Sequence, residues 1–217
     1  MAKPLVMLGA GGHASVLAEI LLAENRSLIA VVTLDPIQTN SPLAGLECIA
    51  SDEQLLSTYT PQEVELVNGL GSIPGNNLRW KLFEFFFTKG YRFASVISPK
   101  ANLSDYLELA EGVQVMMGAQ VQTNASIGKN TIINTGAIVE HDCTIGDHNH
   151  LAPGVTLSGG VTTANQVHIG TGANVIQGIK IGEKVIVGAG STIVKDVPAQ
   201  QTIIPAACRI IGKEKNK

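Results

Sequence analysis

The sequence is short of charged residues, and the charges that it has nearly cancel. Only 15% of its 217 residues are Asp, Glu, Lys or Arg, and the formal net charge at pH 7 is −3. Nonspecific binding of nucleic acid depends on a basic surface, so we expect no nucleic-acid partner. Hydrophobic residues make up 45% of the chain, which predicts a sizeable buried core.

Cysteines and long apolar runs are also scarce. Cys48, Cys143 and Cys208 show no spacing typical of a metal site, which favours a reduced, cytoplasmic protein. The N-terminus has no charged segment followed by a long apolar run, so we expect no signal peptide. No stretch reaches the roughly eighteen apolar residues of a membrane span, so we expect no membrane insertion.

What the sequence has in abundance is a repeat of six residues. From Ile97 to Ile193, every sixth residue is a branched aliphatic, with the single exception of Thr163. These positions are Ile97, Leu103, Leu109, Val115, Val121, Ile127, Ile133, Val139, Ile145, Leu151, Leu157, Thr163, Ile169, Val175, Ile181, Val187 and Ile193. Neither a helix nor an alternating strand has this period, which is typical of a parallel β-helix.

Three hexapeptides would close one triangular coil of about eighteen residues, with the aliphatic side chains stacked inside. Glycines that follow inward positions, such as Gly128 and Gly146, are expected to supply backbone freedom at the corners. The alternative is an ordinary antiparallel sandwich, and the unbroken period argues against it.

The N-terminal segment has a different pattern. A buried strand at Leu5 to Leu8 runs into Gly9-Ala10-Gly11-Gly12-His13 and a helix, and a second strand follows from Leu28 to Leu34. A glycine-rich turn at a helix N-terminus exposes N–H groups that can bind a phosphate. Gly9, Gly11 and Ala14, with Asp35 further on, meet the relaxed dinucleotide fingerprint. The alternative is a tight turn without a ligand.

The rest of this segment completes a small α/β domain. We predict a third strand from Glu63 to Val67, a helix from Asn76 to Lys89 and a last strand from Tyr91 to Ile97. The carboxyl ends of the first and third strands should lie side by side, where open α/β sheets bind ligands. We therefore expect a Rossmann-like βαβ domain at 1–96, a β-helix at 97–200, and a cap with a charged tail at 201–217.

Four of the five histidines lie in the repeat: His141, His148, His150 and His168. His141 stands between Glu140 and Asp142, and a carboxylate that orients an imidazole is typical of a general base. His150 and His168 should share one column, one coil apart, and His141 could line the same groove. The alternatives are solvated surface histidines, or a metal site from His141, Asp142, His148 and His150. The latter spacing matches no zinc motif, so we expect no metal.

The whole chain resembles the NeuD/PglD-like sugar acetyltransferases. The resemblance rests on Gly9 to Ala14, on Gly69-Leu70-Gly71, and on several motifs of the repeat and the C-terminal segment. These are Asn134-Thr135, Val139-Glu140-His141-Asp142-Cys143-Thr144-Ile145-Gly146, His150 and Pro205-Ala206. The family's motif often has Glu at the position of Asp142.

The resemblance implies a fold, a partner and a set of site residues. The β-helix would be left-handed, the protein a homotrimer, and acetyl-CoA would bind between neighbouring β-helices. His141 would be the base, next to Asp142, and the acetyl-CoA contacts would be His150, Thr171 and Ala189. The pocket for a nucleotide-sugar would comprise Gly11, Gly12, His13, Asp35, Pro36 and Gly71.

Two classes of function then compete. The first is transfer of acetyl from acetyl-CoA to an amino group of a nucleotide-activated sugar, of the UDP-4-amino-sugar type, for surface glycan biosynthesis. Its variant is O-acetylation of a sugar or of sialic acid. The second is a non-catalytic nucleotide-binding or regulatory protein on a β-helix scaffold. The histidine cluster favours the first, as does the lack of the second nucleotide-binding half that NAD would need.

Overall fold

The computed structural model describes residues 3–206, which form a small α/β unit followed by a parallel β-helix. The strands of the α/β unit are β1 (Leu5–Leu8), β2 (Leu28–Val32), β3 (Glu47–Ile49) and β4 (Glu65–Asn68). Its helices are α1 (Gly12–Ala23), α2 (Asp52–Thr58) and α3 (Leu78–Thr88). The sheet order is β3-β2-β1-β4, and every pair is parallel.

Strand β1 is central in this sheet and buried on both sides. Its alternate side chains enter two hydrophobic clusters, Leu5 and Met7 packing with α1 and Val6 and Leu8 packing with α3. Leu8 pairs with Asn68, so the carboxyl ends of β1 and β4 lie side by side as predicted. The loops that carry Gly11 and Gly71 therefore meet at one edge of the sheet.

The predicted strands of this unit needed three corrections. β2 ends at Val32, because the chain then turns outward and leaves Leu34 87% exposed. Strand β3 and helix α2 were not predicted. The segment from Tyr91 to Ile97 is not one strand: Phe93 forms an isolated bridge to Leu66, whereas Val96 and Ile97 already pair within the β-helix.

The β-helix has three faces, each a parallel sheet. The first face contains β5 (Val96–Ile97), β8 (Gln114–Val115), β11 (Ile132–Ile133), β14 (His150–Leu151), β17 (His168–Ile169), β20 (Ile186–Val187) and β22 (Thr202–Ile203). The second face contains β6 (Asn102–Leu103), β9 (Gln120–Val121), β12 (Ile138–Val139), β15 (Thr156–Leu157), β18 (Asn174–Val175) and β21 (Thr192–Ile193). The third face contains β7 (Glu108–Leu109), β10 (Ser126–Ile127), β13 (Thr144–Ile145), β16 (Thr162–Thr163) and β19 (Lys180–Ile181).

The corners between the faces are short turns. We call the turn from the first to the second face the first corner (for example 134–137 and 170–173). The second corner joins the second face to the third (122–125, 140–143, 158–161 and 176–179). The third corner leads back to the first face (128–131 and 146–149).

The six-residue period is confirmed, and its one exception has a physical reason. Ile127, Ile145, Thr163 and Ile181 stack in register on the third face. Thr163 is buried, and its hydroxyl accepts a hydrogen bond of 2.6 Å from Nδ2 of Asn149, which is also buried. A buried amide must be hydrogen-bonded, so a hydroxyl replaces the aliphatic at this position.

The role predicted for Gly128 and Gly146 was wrong. Neither has a positive φ, so the corner backbone does not demand glycine there. A Cβ on Gly128 would lie 2.4 Å from the carbonyl carbon of Gly146 in the next coil. These positions are glycine because successive coils approach too closely for a side chain.

A buried polar network joins the α/β unit to the β-helix. The guanidinium of Arg79, on α3, donates from Nη1 to the carbonyl oxygens of Asn68 (2.9 Å) and Leu70 (2.5 Å). Its Nη2 donates to the carbonyl of Asn130 at the third corner. The side chain of Asn68 also donates to Oδ1 of Asn130. The edge of the sheet that carries Gly71 is thereby fixed against the β-helix.

The first face continues beyond the predicted end of the β-helix at residue 200. Strand β22 pairs with β20, aligning Thr202 with Ile186. Residues 207–217, which include Cys208, most of the predicted cap and the charged tail, lie outside the described residues. In the described part of the chain, Cys48 is exposed, Cys143 is buried and both are free. No helix between residues 3 and 206 has the length and apolar character needed to cross a membrane.

Candidate active site

His141 and Asp142 stand together at the second corner. Nδ1 of His141 lies 2.7 Å from Oδ2 of Asp142, and both side chains are 58% exposed. Asp142 has a φ of +61°, a conformation that Asp and Asn tolerate better than most residues. This backbone turns the carboxylate toward the preceding residue, so the side chain reaches the imidazole although it is shorter than Glu.

This contact makes His141 more basic. The hydrogen bond that His141 donates to Asp142 raises the pKa of His141. The same bond, with a second one donated by Asn124, lowers the pKa of Asp142. Since the carboxylate accepts from Nδ1–H, the neutral ring has its free lone pair on Nε2. That nitrogen can accept a proton from an incoming nucleophile.

Asn124 holds Asp142 from the preceding coil. Its Nδ2 donates to Oδ1 of Asp142 at 3.1 Å, so each carboxylate oxygen has one partner. Asn124 was not among the predicted site residues. The separation of 18 residues between Asn124 and Asp142, one full coil, is the signal that would have placed the two side chains together.

His150 lies on the first face and is only 8% exposed. Its Nε2 lies 3.0 Å from Nδ2 of Asn134, whose Oδ1 is already used by the backbone N–H of Thr135. Nε2 is therefore the acceptor and Nδ1 carries the proton. Nδ1 is enclosed by the protein, and a hydrogen bond with the main chain of Ser72 partly offsets the effect of burial on the pKa of His150.

Burial keeps the histidines of the first face neutral. Burial, with a smaller effect of His168, lowers the pKa of His150 to about 3, and burial lowers the pKa of His168. The two residues pair across adjacent strands as predicted, with ring centroids 4.9 Å apart. They act as polar neutral groups at pH 7 and not as cations.

Thr171 and Ala189 lie at the first corner, one above the other and both exposed. Their turns are stacked through a bond of 2.8 Å from the N–H of Gly190 to the carbonyl of Thr171. Asn134, the partner of His150, belongs to the same corner. The three residues predicted to contact acetyl-CoA, His150, Thr171 and Ala189, therefore lie along the first face and its edge.

His141 does not share that groove within one chain. The second corner, which carries His141, joins the second face to the third, and His150 lies on the first face. In a triangular prism, the corner between two faces lies opposite the third face. The expectation that His141 and His150 line one groove of a single chain was wrong.

The predicted phosphate-binding turn is open. Gly11 precedes α1 without a side-chain cap, and α1 has no acidic residue in its first turn. Added Cβ atoms on Gly11 or Gly12 would meet nothing within 4 Å. Neither glycine is required by the packing of the chain, and the first N–H groups of a helix have no acceptor within the helix.

His13 connects this turn to the β-helix. Its Nε2 lies 2.7 Å from Oε1 of Gln114 on the first face, and Gln114 in turn donates to the carbonyl of Asn68 at 2.8 Å. Burial, with a smaller effect of Arg79, lowers the pKa of His13 to about 4. His13 is thus a neutral residue whose ring position is set by the first face.

The other predicted nucleotide contacts border the same edge of the sheet. Asp35 and Pro36 follow β2 and are exposed, and the turn is tied by Thr33, whose Oγ1 accepts from the N–H of Asp35 at 3.0 Å. Gly71 follows β4, and a Cβ placed there would lie 3.7 Å from Cβ of His13. The structure brings Gly71 close to His13, and Asp35 to the end of the neighbouring strand.

A cavity of about 420 Å³ lies between the loop after β4 and the third corner. Ser72, Asn76, Trp80, His148, His168 and Lys184 are among its lining residues. Of the histidines in the repeat, His148 and His168 line it, whereas His141 and His150 do not. Within residues 3–206, no three His, Cys, Asp or Glu side chains are grouped to hold a metal ion.

Known proteins match both parts of the chain. The PglD N-terminal domain family matches residues 4–86, and the family of bacterial transferase hexapeptide (six repeats) matches residues 124–159. A crystal structure of a GDP-perosamine N-acetyl transferase variant from Caulobacter crescentus, in complex with CoA and GDP-perosamine, is 34% identical. The match covers 98% of this chain and 99% of that chain, with a TM-score of 0.83. The chain belongs to the NeuD/PglD-like sugar acetyltransferase family.

Further solved structures agree with this assignment. The acetyltransferase domain of PglB from Neisseria gonorrhoeae is 30% identical, with 92% and 95% of the two chains covered and a TM-score of 0.81. WeeI from Acinetobacter baumannii is 25% identical, with 97% and 100% covered and a TM-score of 0.80. Curated protein sequences gave no match. The protein is a sugar acetyltransferase that uses acetyl-CoA, and its β-helix is left-handed.

Proposed function

We propose that this acetyltransferase moves the acetyl group of acetyl-CoA to an amino group of a nucleotide-activated sugar, of the UDP-4-amino-sugar type, in surface glycan biosynthesis. The observation that carries the proposal is the exposed pair of His141 and Asp142, joined by a 2.7 Å hydrogen bond. An imidazole with a free Nε2 and a raised pKa is suited to remove a proton from an attacking amine.

The reaction needs one proton acceptor and a leaving thiolate. The amine nitrogen attacks the thioester carbonyl carbon while Nε2 of His141 takes the proton of the ammonium that develops. The carbon–sulfur bond then breaks, and the CoA thiolate leaves and takes the proton from Nε2 of His141, which becomes neutral again. Asp142 stabilises the imidazolium that forms, through its bond to Nδ1.

The acetyl donor is assigned to the first face. His150 supplies a neutral, largely buried imidazole on this face. The exposed corner at Thr171 and Ala189 offers backbone groups to the pantetheine chain. The relatives from C. crescentus and N. gonorrhoeae are described in complex with CoA and acetyl coenzyme A.

The nucleotide of the acceptor is assigned to the turn at Gly11 and Gly12. A diphosphate would interact favourably with the free N–H groups at the start of α1, and the open space in front of both glycines can receive it. Asp35 and Pro36 border this turn, and Asp35 can accept hydrogen bonds from the sugar or base of the nucleotide. His13 and Gly71 complete the pocket.

The active site would lie between subunits of a homotrimer. His141 and His150 lie on opposite sides of one β-helix, so a single chain cannot bring the base to the thioester. In a cyclic trimer, the second corner of one chain can face the first face of the next. This arrangement explains why the base and the donor-binding residues lie on different surfaces.

A histidine base is also consistent with the variants studied in a relative. Two structures of the C. crescentus enzyme with CoA and GDP-perosamine are of variants in which a histidine is replaced by alanine or asparagine. From the free thiols of Cys48 and Cys143, the net charge of −3 and the use of acetyl-CoA, we infer a cytoplasmic enzyme without nucleic-acid or membrane partners.

The test is an acceptor panel. Purified protein and acetyl-CoA are incubated with UDP-, GDP- and dTDP-linked 4-amino sugars, with the matching 4-hydroxy sugars and with sialic acid, and products are identified by mass spectrometry. We expect acetylation of one amino-sugar nucleotide. Acetylation of only a hydroxy sugar or sialic acid would identify an O-acetyltransferase. Thermal protection by NAD and not by acetyl-CoA, without turnover, would support the non-catalytic alternative.

A further inference from the structure

Gly159 lies directly against the ring of His141. A Cβ built on Gly159 would be 2.6 Å from Cε1, 2.7 Å from Nε2 and 3.2 Å from Nδ1 of His141, and these are its three nearest atoms. The two residues occupy the same place in successive coils at the second corner. The N–H of the next residue, Gly160, donates to the carbonyl of His141 at 2.9 Å.

The backbone does not require glycine at this place. Gly159 has no positive φ, unlike Gly160 (+67°) and Gly178 (+70°) in the same corner. The equivalent position in neighbouring coils is occupied by Thr123, His141 and Gln177. The three atoms nearest to a Cβ at Gly159 all belong to the imidazole, so a side chain there would displace the ring of His141.

We propose that Gly159 is a positioning residue for the catalytic base. Because it has no side chain, the imidazole of His141 can pack directly against its backbone. The ring is then held from two coils. Asp142, itself fixed by Asn124, binds Nδ1 from one side, and Gly159 leaves the space that the ring occupies on the other. This inference rests on the proposed function of His141.

A methyl group at Gly159 would move the ring without unfolding the protein. The imidazole is exposed, so it can rotate away from a new Cβ into solvent. Rotation would turn Nε2 away from the acceptor and break the 2.7 Å bond to Asp142. Misplacement of a reacting group by about 1 Å can cost about 100-fold in rate.

The experiment compares Gly159→Ala with Gln177→Ala, which places alanine at the equivalent position of the next coil. We expect Gly159→Ala to lower kcat by about 10- to 100-fold, with the KM values for both substrates nearly unchanged. The control should keep wild-type kcat. A Gly159→Ala enzyme with kcat within about threefold of the control would overturn the proposal.

A second readout does not depend on the substrate. The pKa of His141 is measured by NMR titration, with its signal assigned by its loss in His141→Ala. We expect a raised pKa in the wild type and a lower one in Gly159→Ala, since the bond to Asp142 is broken. An unchanged pKa would contradict the role of Gly159 while leaving His141 as the base. If instead His141→Ala is fully active, the proposed function fails and not only the inference.

Discussion

Nδ1 of His141 donates a 2.7 Å hydrogen bond to Oδ2 of Asp142, the residue that follows it in the chain. Adjacent residues rarely point to the same place in an extended strand, because successive side chains alternate. Here the left-handed conformation of Asp142, with φ of +61°, ends the alternation at a corner. A turn of the β-helix thus assembles the base and its orienting carboxylate from two consecutive residues.

Substitution of Asp142 by Asn should weaken the base without straining the corner. Asn tolerates positive φ as well as Asp does, and it removes the negative charge that raises the pKa of His141. The reaction needs His141 neutral, so the rate rises with pH through this pKa. We expect the acid limb of the pH profile of kcat/KM to move to lower pH, with a maximal rate less reduced than in His141→Ala.

The pH profile also has a matched control. Asn124→Gly keeps the positive φ of +59° at that corner and removes only the second hydrogen bond to Asp142. Its acid limb should stay close to that of the wild type, because Asp142 keeps its charge and its bond to His141. A limb that stays in place in both variants would show that Asp142 does not set the basicity of His141.

Substitution of Gly12 by Val should separate the two substrates. The chain has open space at Gly12, so the added side chain should leave the fold intact but obstruct a phosphate at the start of α1. We expect a large rise in KM for the nucleotide-sugar and an almost unchanged KM for acetyl-CoA. The unfolding temperature of the unliganded variant serves as the control, and the opposite pattern of KM values would reverse the two assignments.

Two inactive variants should complement each other if the active site lies between subunits. His141→Ala and His150→Ala chains are mixed at equal amounts, unfolded and refolded together. In a random trimer, about a quarter of the interfaces would combine an intact His141 with an intact His150 from the next chain. We expect activity to return to that fraction of wild type. Recovery of no activity, despite trimers in sedimentation experiments, would place the complete site in one chain.

Restoration of the aliphatic repeat at Thr163 should destabilise the protein. Thr163→Val removes the hydroxyl that accepts the 2.6 Å bond from Asn149 and leaves a buried donor without that partner. We expect the free energy of unfolding in urea to fall by about 1–3 kcal/mol. Thr162→Val, on the outward side of the same strand, is the control and should change it by less than about 0.5 kcal/mol. A stabilised Thr163→Val would contradict this explanation.

The β-helix could be predicted because each hexapeptide contains its own inward-facing aliphatic residue at the same place. Ile127, Ile145 and Ile181 face inward for a reason that is local and repeated, so the period survives one exception. The exception itself could not be explained from the sequence, because the partner of Thr163 is Asn149, in a different column. The paired ends of β1 and β4 were also predictable, from the general rule for parallel sheets.

The residues of the candidate site could be predicted from the sequence, but their relative positions could not. His141 and His150 were both predicted as site residues. They are separated by nine residues, which is half of a coil, and therefore lie on opposite sides of the prism. Gly159 and Asn124 each lie one coil of 18 residues from His141 or Asp142, a spacing that places them nearby, but their contacts required the structure. The role of Arg79 could not be predicted from the sequence. Its hydrogen-bond acceptors are the main-chain carbonyls of Asn68, Leu70 and Asn130, which come from two parts of the chain.

The central claim is that His141 is the general base of acetyl transfer, and the turnover of His141→Ala tests it most directly. The measurement is kcat with the amino-sugar nucleotide that the acceptor panel identifies, at saturating acetyl-CoA. Trimer formation and thermal protection by acetyl-CoA are checked in the same sample. We expect a loss of about 10²- to 10⁴-fold in kcat with both checks unchanged. A kcat within about threefold of wild type would contradict the account.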